Sequence, residues 1–325
     1  MAGSDEIRKR LEALNRGPLE SPGPAEDADD GEALRNRLRD SLRQRSGAAS
    51  RPPAGRGGRE PIVLRRTVSR RSPSRPPRAY SSRPHVALEQ AVEGVEAPGP
   101  DGSAVWLVQR RVGQGDEAAS SLSAGLADAL ADAASPLWAQ LRQIGIEERI
   151  GPDQMLFFDL ETTGLGSSPL FLIGAMTWDT DGLLVRQFFA RDYSEERAAL
   201  GLFLELAGPK RLLVSFNGKS FDLPFVRVRS AANGVACRLD PAHLDLLHVA
   251  RRTWGGRLPD CRLQTLERII CGRVRRDDIP GHLIPDAYHD YVHTGNAAAM
   301  VTVLEHNYLD LLTVADLLTR LPGAK

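Results

Sequence analysis

Phe157-Phe158-Asp159-Leu160-Glu161-Thr162-Thr163-Gly164-Leu165 is the stretch whose reading decides the fold. Its two carboxylates stand two residues apart in an otherwise apolar run. In a β-strand both project from one face, while Phe158 and Leu160 point the other way, toward a core. Neighbouring like charges repel and make poor core material unless something positive sits between them. A divalent cation is the usual answer. The Thr-Thr-Gly that follows lets the backbone turn closely past whatever such an ion holds. Taken alone, the pattern equally describes a half-buried strand with a solvated acidic face, and two further stretches decide between the readings.

The second is Leu212-Leu213-Val214-Ser215-Phe216-Asn217-Gly218-Lys219-Ser220-Phe221-Asp222-Leu223-Pro224-Phe225. A short apolar strand ends at Asn-Gly, a strong turn signal. Ser220 then reads as an N-cap, with Phe221 and Asp222 in the first helical turn and Pro224 tolerated there. Asp222 is thereby expected at the positive end of a helix dipole, which favours its ionised form. The third is His306-Asn307-Tyr308-Leu309-Asp310. Asn296 is the expected N-cap of a long helix with apolar residues at Val301, Leu304, Tyr308, Leu311, Leu312, Ala315 and Leu318. His306 and Asp310 are four apart and so share one face, about a turn from each other.

Together the three stretches resemble the exonuclease motifs of the RNase H-like superfamily that carries a DEDD metal-binding tetrad. More narrowly, the chain is similar to the YprB-type ribonuclease H-like family of bacterial predicted exonucleases. The resemblance runs from about Leu156 to Leu321 and includes His243-Leu244-Asp245-Leu246-Leu247, Leu258-Pro259-Asp260-Cys261-Arg262-Leu263 and Asp278-Ile279-Pro280-Gly281. It implies that Asp159 and Glu161 are the first-motif metal ligands, Asp222 the second and Asp310 the third, with His306 as general base. One departure stands out. Histidine-type members place the base five residues before the last aspartate and tyrosine-type members place a tyrosine four before it, whereas this chain has histidine at the tyrosine spacing.

The order of elements predicts an α/β fold with a mixed β-sheet flanked by helices, and the resemblance implies that this fold is RNase H-like. Beyond the acidic strand come Leu170–Trp178 and Leu183–Ala190, separated by Asp181-Gly182, a hairpin signal. A helix is expected from about Ser194 to Ala207, then the strand ending at Asn217, then helices near Leu244–Trp254, Arg262–Cys271 and Asn296–Leu321. The resemblance implies that the strand before Asp222 lies beside the Asp159 strand and parallel to it. All four carboxylates would then meet at one sheet end, where ligands of open α/β sheets bind.

The chain has 325 residues and as many basic as acidic ones, 42 of each, but they are unevenly spread. Residues 1–85 are rich in Arg, Ser, Pro and Gly and poor in large apolar residues, the composition of a disordered tail. Two short helical stripes, at Ile7, Leu11 and Leu14 and at Leu34, Leu38 and Leu42, bury too little for a core. From Arg43 to Arg83 there are twelve arginines against the single acid Glu60, and residues 1–85 carry a net charge of +8, leaving the rest near −8. An acidic catalytic domain repels a polyanion unless metal and local basic groups intervene; a flexible arginine arm is expected either to supply non-specific phosphate attraction or to serve as a solubilising linker. Residues 86–150, with a strand at Ala104–Val108 and a helix near Ser121–Ala134, are expected as a lead-in packed on the domain formed by 151–325.

Several classes are not expected. The start of the chain lacks the apolar segment of a signal peptide, and no apolar run approaches the length needed to span a membrane. Three cysteines, Cys237, Cys261 and Cys271, without a C-x-x-C pair argue against a disulfide framework or zinc knuckle and suit a reducing cytoplasm. No phosphate-binding P-loop is present. His289-Asp290-Tyr291-Val292-His293 has the histidine spacing of a zinc metalloprotease helix, but Asp replaces the base Glu and no third ligand is evident. Asp245, Asp277 and Asp278 are expected to orient loops or pair with Arg275 and Arg276.

The resulting expectation is a metal-dependent nuclease acting on DNA or RNA, a 3′→5′ exonuclease using two Mg²⁺ or Mn²⁺ ions. Thr162, Thr163, Gly164, Leu165, Asn217 and Lys219 are the expected contacts to the terminal nucleotide. A structure-specific endonuclease on the same fold and a nucleic-acid-binding adaptor with an inactive site are the alternatives.

Overall fold

A computed structural model describes residues 84–113 and 117–322. The arginine-rich stretch and the two leucine stripes before it lie outside the described residues. No described helix is long and apolar enough to cross a membrane.

Among the described residues, seven strands form one mixed sheet: β1 (Val95–Pro98), β2 (Ala104–Arg111), β3 (Met155–Thr162), β4 (Leu170–Asp179), β5 (Gly182–Phe189), β6 (Leu212–Ser215) and β7 (Ala242–Asp245). Their spatial order is β1-β2-β5-β4-β3-β6-β7. The expected antiparallel trio is β5-β4-β3, and β6 lies parallel to β3 with Met155, Leu156 and Phe157 opposite Leu212, Leu213 and Val214. The β4–β5 turn is centred on Thr180-Asp181 rather than Asp181-Gly182, because Gly182 already pairs with Asp179 as the first residue of β5. The strand expected at Ala104–Val108 runs on to Arg111 and pairs antiparallel with β5, so β1 and β2 extend the sheet itself.

A second difference concerns Leu244. It was expected at the start of a helix, yet Ala242–Asp245 is a strand parallel to β6, and the helix begins at Leu246. The four-residue strand, with His243 and Asp245 among its residues, was too short and too polar to separate from the helix that follows it. Ser220 is not the cap of the helix Asp222–Ala232 either. Phe221 occupies the cap position without a side-chain bond, and the turn closes through the backbone, Leu223 N–H donating to Gly218 O.

Both faces of the sheet are covered, and strand alternation decides what each receives. Leu156, Phe158, Leu160 and Leu213 pack against the helices Glu196–Ala207 and Asp222–Ala232. Met155, Phe157, Leu212 and Val214 face the other way, under Leu311, Leu312 and Ala315 of the helix Met300–Thr319 and residues of Glu117–Ala131, Pro136–Gln143 and Leu246–Trp254. Asp159 and Glu161 continue the Met155/Phe157 side. The long C-terminal helix therefore lies over the same face as both carboxylates.

Candidate active site

β3 delivers Asp159 and Glu161 at its C-terminal end, where a bulge between Glu161 and Thr162 breaks the register with β4. Asp222 is the first residue of the helix after the parallel strand β6, so the neighbouring crossover brings it to the same sheet end. Asp310 comes down from the C-terminal helix. The three segments converge, as the mutual perturbation of their carboxyls records. Burial raises Asp159 well above the usual carboxylate range, and the charges of Asp310, Glu161 and Asp222 add to it, against a hydrogen bond from Asn307. Glu161 is likewise raised well above its ordinary value by burial, then by Asp310, Asp222 and Asp278, with Arg275 opposing. Asp222, only 4% exposed, is pushed up to about 7, chiefly by burial and further by Asp245 and Asp310. Asp159 and Glu161 retain some accessible surface, but the protein encloses enough of each for desolvation to lead.

Asn307 was not singled out from the sequence and is central here. It is fully buried and donates from Nδ2 to Asp159 Oδ2 at 2.9 Å, while accepting at Oδ1 from Gln187 Nε2 at 2.8 Å. Room for it comes from Gly174, the partner of Asp159 across β3 and β4; a Cβ there would stand 2.1 Å from Asn307 Oδ1. A glycine inside a strand is the signal that a close approach occurs at that point.

On the other flank of Asp310 lies a network from residues 263–280. Helix Leu263–Leu266 passes into one π turn, Glu267–Cys271, and the chain returns to present Arg275. Arg275, its side chain 6% exposed, bonds to Asp310 Oδ1 and, at 2.6 Å, to Glu267. Burial opposes its charge, but Asp310 and Glu267 outweigh that and hold the guanidinium charged more firmly than usual. Asp278 lies 3.5 Å from Arg275, as expected, and its other oxygen is 2.7 Å from His306 Nδ1. The Nε2 of His306 is 3.6 Å from Asp310 Oδ2. His306 and Asp310 thus share the helix face that looks onto the carboxylates.

The loop residues named from sequence frame this centre. Thr162 Oγ1 donates to Gly164 O at 2.8 Å and Thr163 Oγ1 to Pro169 O at 3.1 Å, closing the turn and leaving Leu165 82% exposed at its tip. Asn217 takes a left-handed conformation, φ 67°, and Asp245 clamps its turn by accepting from the backbone N–H of Asn217, Lys219 and Leu247. Asp245 is therefore a loop-orienting residue, as expected. Lys219 is exposed beside it. His289 and His293 have separate duties: His289 Nδ1 meets Tyr193 Oη at 2.6 Å, and His293 Nδ1 donates to His289 O at 2.6 Å.

As the side chains stand, no three His, Cys, Asp or Glu among the described residues are grouped so as to hold a metal ion. The donor set is nonetheless of the kind a hard divalent cation takes: carboxylate oxygens in excess of positive charge, each made costlier by the others. Asp159 is steered by Asn307 and Asp310 by Arg275, so each presents a carboxylate with one oxygen already engaged.

A family model described as the RNase_H superfamily matches residues 156–322. The uncharacterized protein YprB of Bacillus subtilis (strain 168) is 34% identical over 172 residues, which cover 51% of this chain and 41% of that protein. The chain thus spans less than half the length of that relative. Among solved structures, the family B DNA polymerase from the hyperthermophilic archaeon Pyrobaculum calidifontis aligns with 53% of this chain and 25% of its own, at 19% identity and a TM-score of 0.42.

Proposed function

The chain belongs to the RNase H superfamily, on its YprB-type side, and from that premise we propose that it hydrolyses phosphodiester bonds of DNA or RNA as a 3′→5′ exonuclease. The observation that supports this most is the convergence of Asp159, Glu161, Asp222 and Asp310, from three distant segments, into mutual repulsion at one sheet end. Four clustered carboxylates do nothing for a protein that only binds a polyanion. These four residues would hold two Mg²⁺ or Mn²⁺ ions, which when bound supply charge stabilisation to the attacking and leaving oxygens of an in-line displacement.

The chain's own side chains divide the remaining work. Asn307 and Arg275 orient Asp159 and Asp310. His306 accepts the proton of the attacking water at Nε2, the ring atom nearest Asp310. The exposed apolar side chain of Leu165, on the turn after Glu161, suits the face of a terminal base, and the exposed Asn217 and Lys219, on the turn before Asp222, suit contact with the terminal nucleotide. Residues 1–85 contribute non-specific phosphate attraction through their arginines. The unpaired cysteines suit action in a reducing cytoplasm.

End-labelled DNA and RNA, incubated with the protein and Mg²⁺ or Mn²⁺, test this. A ladder growing from the 3′ end is expected, abolished by EDTA and by Asp159→Ala or Asp310→Ala in folded protein. Discrete internal cuts would make the protein an endonuclease. Retention without cleavage, or full activity of Asp159→Ala, would remove the proposed site.

A further inference from the structure

We propose that Asp278 is the positioning residue for His306, taking its Nδ1–H so that Nε2 is left as the bare, proton-accepting atom facing the carboxylates. This rests on the reading of His306 as the base. A neutral imidazole carries one N–H and one lone pair, and the hydrogen bond made by one nitrogen decides which atom has which. Asp278 Oδ1 is 2.7 Å from Nδ1, a strong contact, and an ionised carboxylate can only accept. The proton of the neutral ring therefore belongs on Nδ1. Nε2 stands 3.6 Å from Asp310 Oδ2, beyond ordinary hydrogen-bond length, and is not consumed by that contact. The reverse tautomer would set the Nδ1 lone pair against a carboxylate oxygen at 2.7 Å.

The surroundings hold this arrangement in place. Arg275 reaches both Asp278, at 3.5 Å, and Asp310, so one buried guanidinium fixes the two carboxylates on either side of the imidazole and meets their charge. Asp278 is carried on a short anchored loop: Asp277 is left-handed, φ 57°, and Ile279 is buried in the core beside Tyr288. The His306 ring is itself only 7% exposed, which limits its reorientation. Asp278 and His306 are 28 residues apart in sequence, so the pair exists only in the folded chain.

The test reads the tautomer directly, by long-range ¹H–¹⁵N correlation on the metal-free protein at a pH where imidazole is neutral, with His306→Phe to assign the signal. Wild type should show His306 protonated at Nδ1, and Asp278→Ala should shift it toward Nε2–H, the form free imidazole prefers. A wild-type ring protonated at Nε2, or an unchanged tautomer in Asp278→Ala, would overturn the assignment. In the nuclease assay Asp278→Ala should lower kcat about 10- to 100-fold with little change in KM. Asp278→Asn, which keeps the shape and an acceptor oxygen, should fall between the two. Should Asp278→Ala fail to fold, Asp278→Asn decides: a lowered kcat at constant KM supports the positioning role, and wild-type kcat refutes it. A wild type that shows the Nδ1–H tautomer and no nuclease activity would refute the proposed function while leaving the positioning intact.

Discussion

Replacing Asp222 by Asn in the metal-free protein measures how much the clustered carboxylates cost the fold. Asp222 is 4% exposed, and burial, joined by the charges of Asp245 and Asp310, raises its carboxyl from 3.8 to about 7. Between those values the folded state holds a proton that the unfolded chain has released. The stability this proton confers is fully present below the unfolded value and is lost as pH rises through about 7. A raise of ~3 pKa units, at about 1.4 kcal/mol each, bounds the effect near ~4 kcal/mol. Because Asp159, Glu161 and Asp310 titrate jointly with it, ~2 kcal/mol is the working figure for Asp222 alone. For a domain of this size that corresponds to roughly 4–8 °C in Tm. Calorimetry in EDTA between about pH 5.5 and about pH 8 should show wild-type Tm falling as pH rises. Asp222→Asn should melt higher than wild type at the alkaline end and depend less on pH. Added Mg²⁺ or Mn²⁺ should raise wild-type Tm there and the variant's less, since a ligand has been removed. If Asp222→Asn is no more stable than wild type at the alkaline end, or both share one pH slope, then burial is not what perturbs this carboxyl.

Three further outcomes follow from the same geometry. Gly174→Ala drives a methyl to 2.1 Å from Asn307 Oδ1, in an amide whose oxygen is held by Gln187 and whose nitrogen is held by Asp159; a loss of ~1–3 kcal/mol in denaturant titration is expected, with nuclease activity falling as Asp159 loses its orientation, and unaltered stability and activity would show that Asn307 moves freely. Arg275→Met leaves Glu267 and Asp310 without their shared cation in a buried setting and should cost ~3–5 kcal/mol, whereas a loss under about 1 kcal/mol would mean that water reaches the network. Deleting residues 1–85 removes a net charge of +8; nucleic-acid binding at low salt should weaken and its salt dependence flatten, with turnover at saturating substrate little changed, and an unaltered salt slope would give the arm another role.

The strand Met155–Thr162, its hairpin partner, the helix at Asp222 and the long helix over Asp310 were legible in the chain because each rests on a local rule. Alternation shows which side chains share a strand face, and a spacing of four shows which share a helix face. Those rules put Asp159 with Glu161 and His306 with Asp310, while it took the resemblance to the DEDD exonucleases to join them with Asp222 and to imply that β6 lies beside β3, as it does. They failed where elements were short, as at Ala242–Asp245, or where a cap was made by backbone alone, as at Phe221. Asn307 read as one polar residue in an apolar helix, and Gly174 as one glycine in an apolar strand; only docking the helix on the sheet turned the pair into a support for Asp159. Arg275 and Asp278 were expected only as a local pair within their loop. Folding buried them against Asp310 and His306, some 30 residues away, and burial is what converts such surface charges into partners that fix geometry. Local periodicity thus determined which side chains share a strand or helix face, and tertiary packing, by removing water and bringing remote charges within bonding distance, decided how the candidate carboxylates are held.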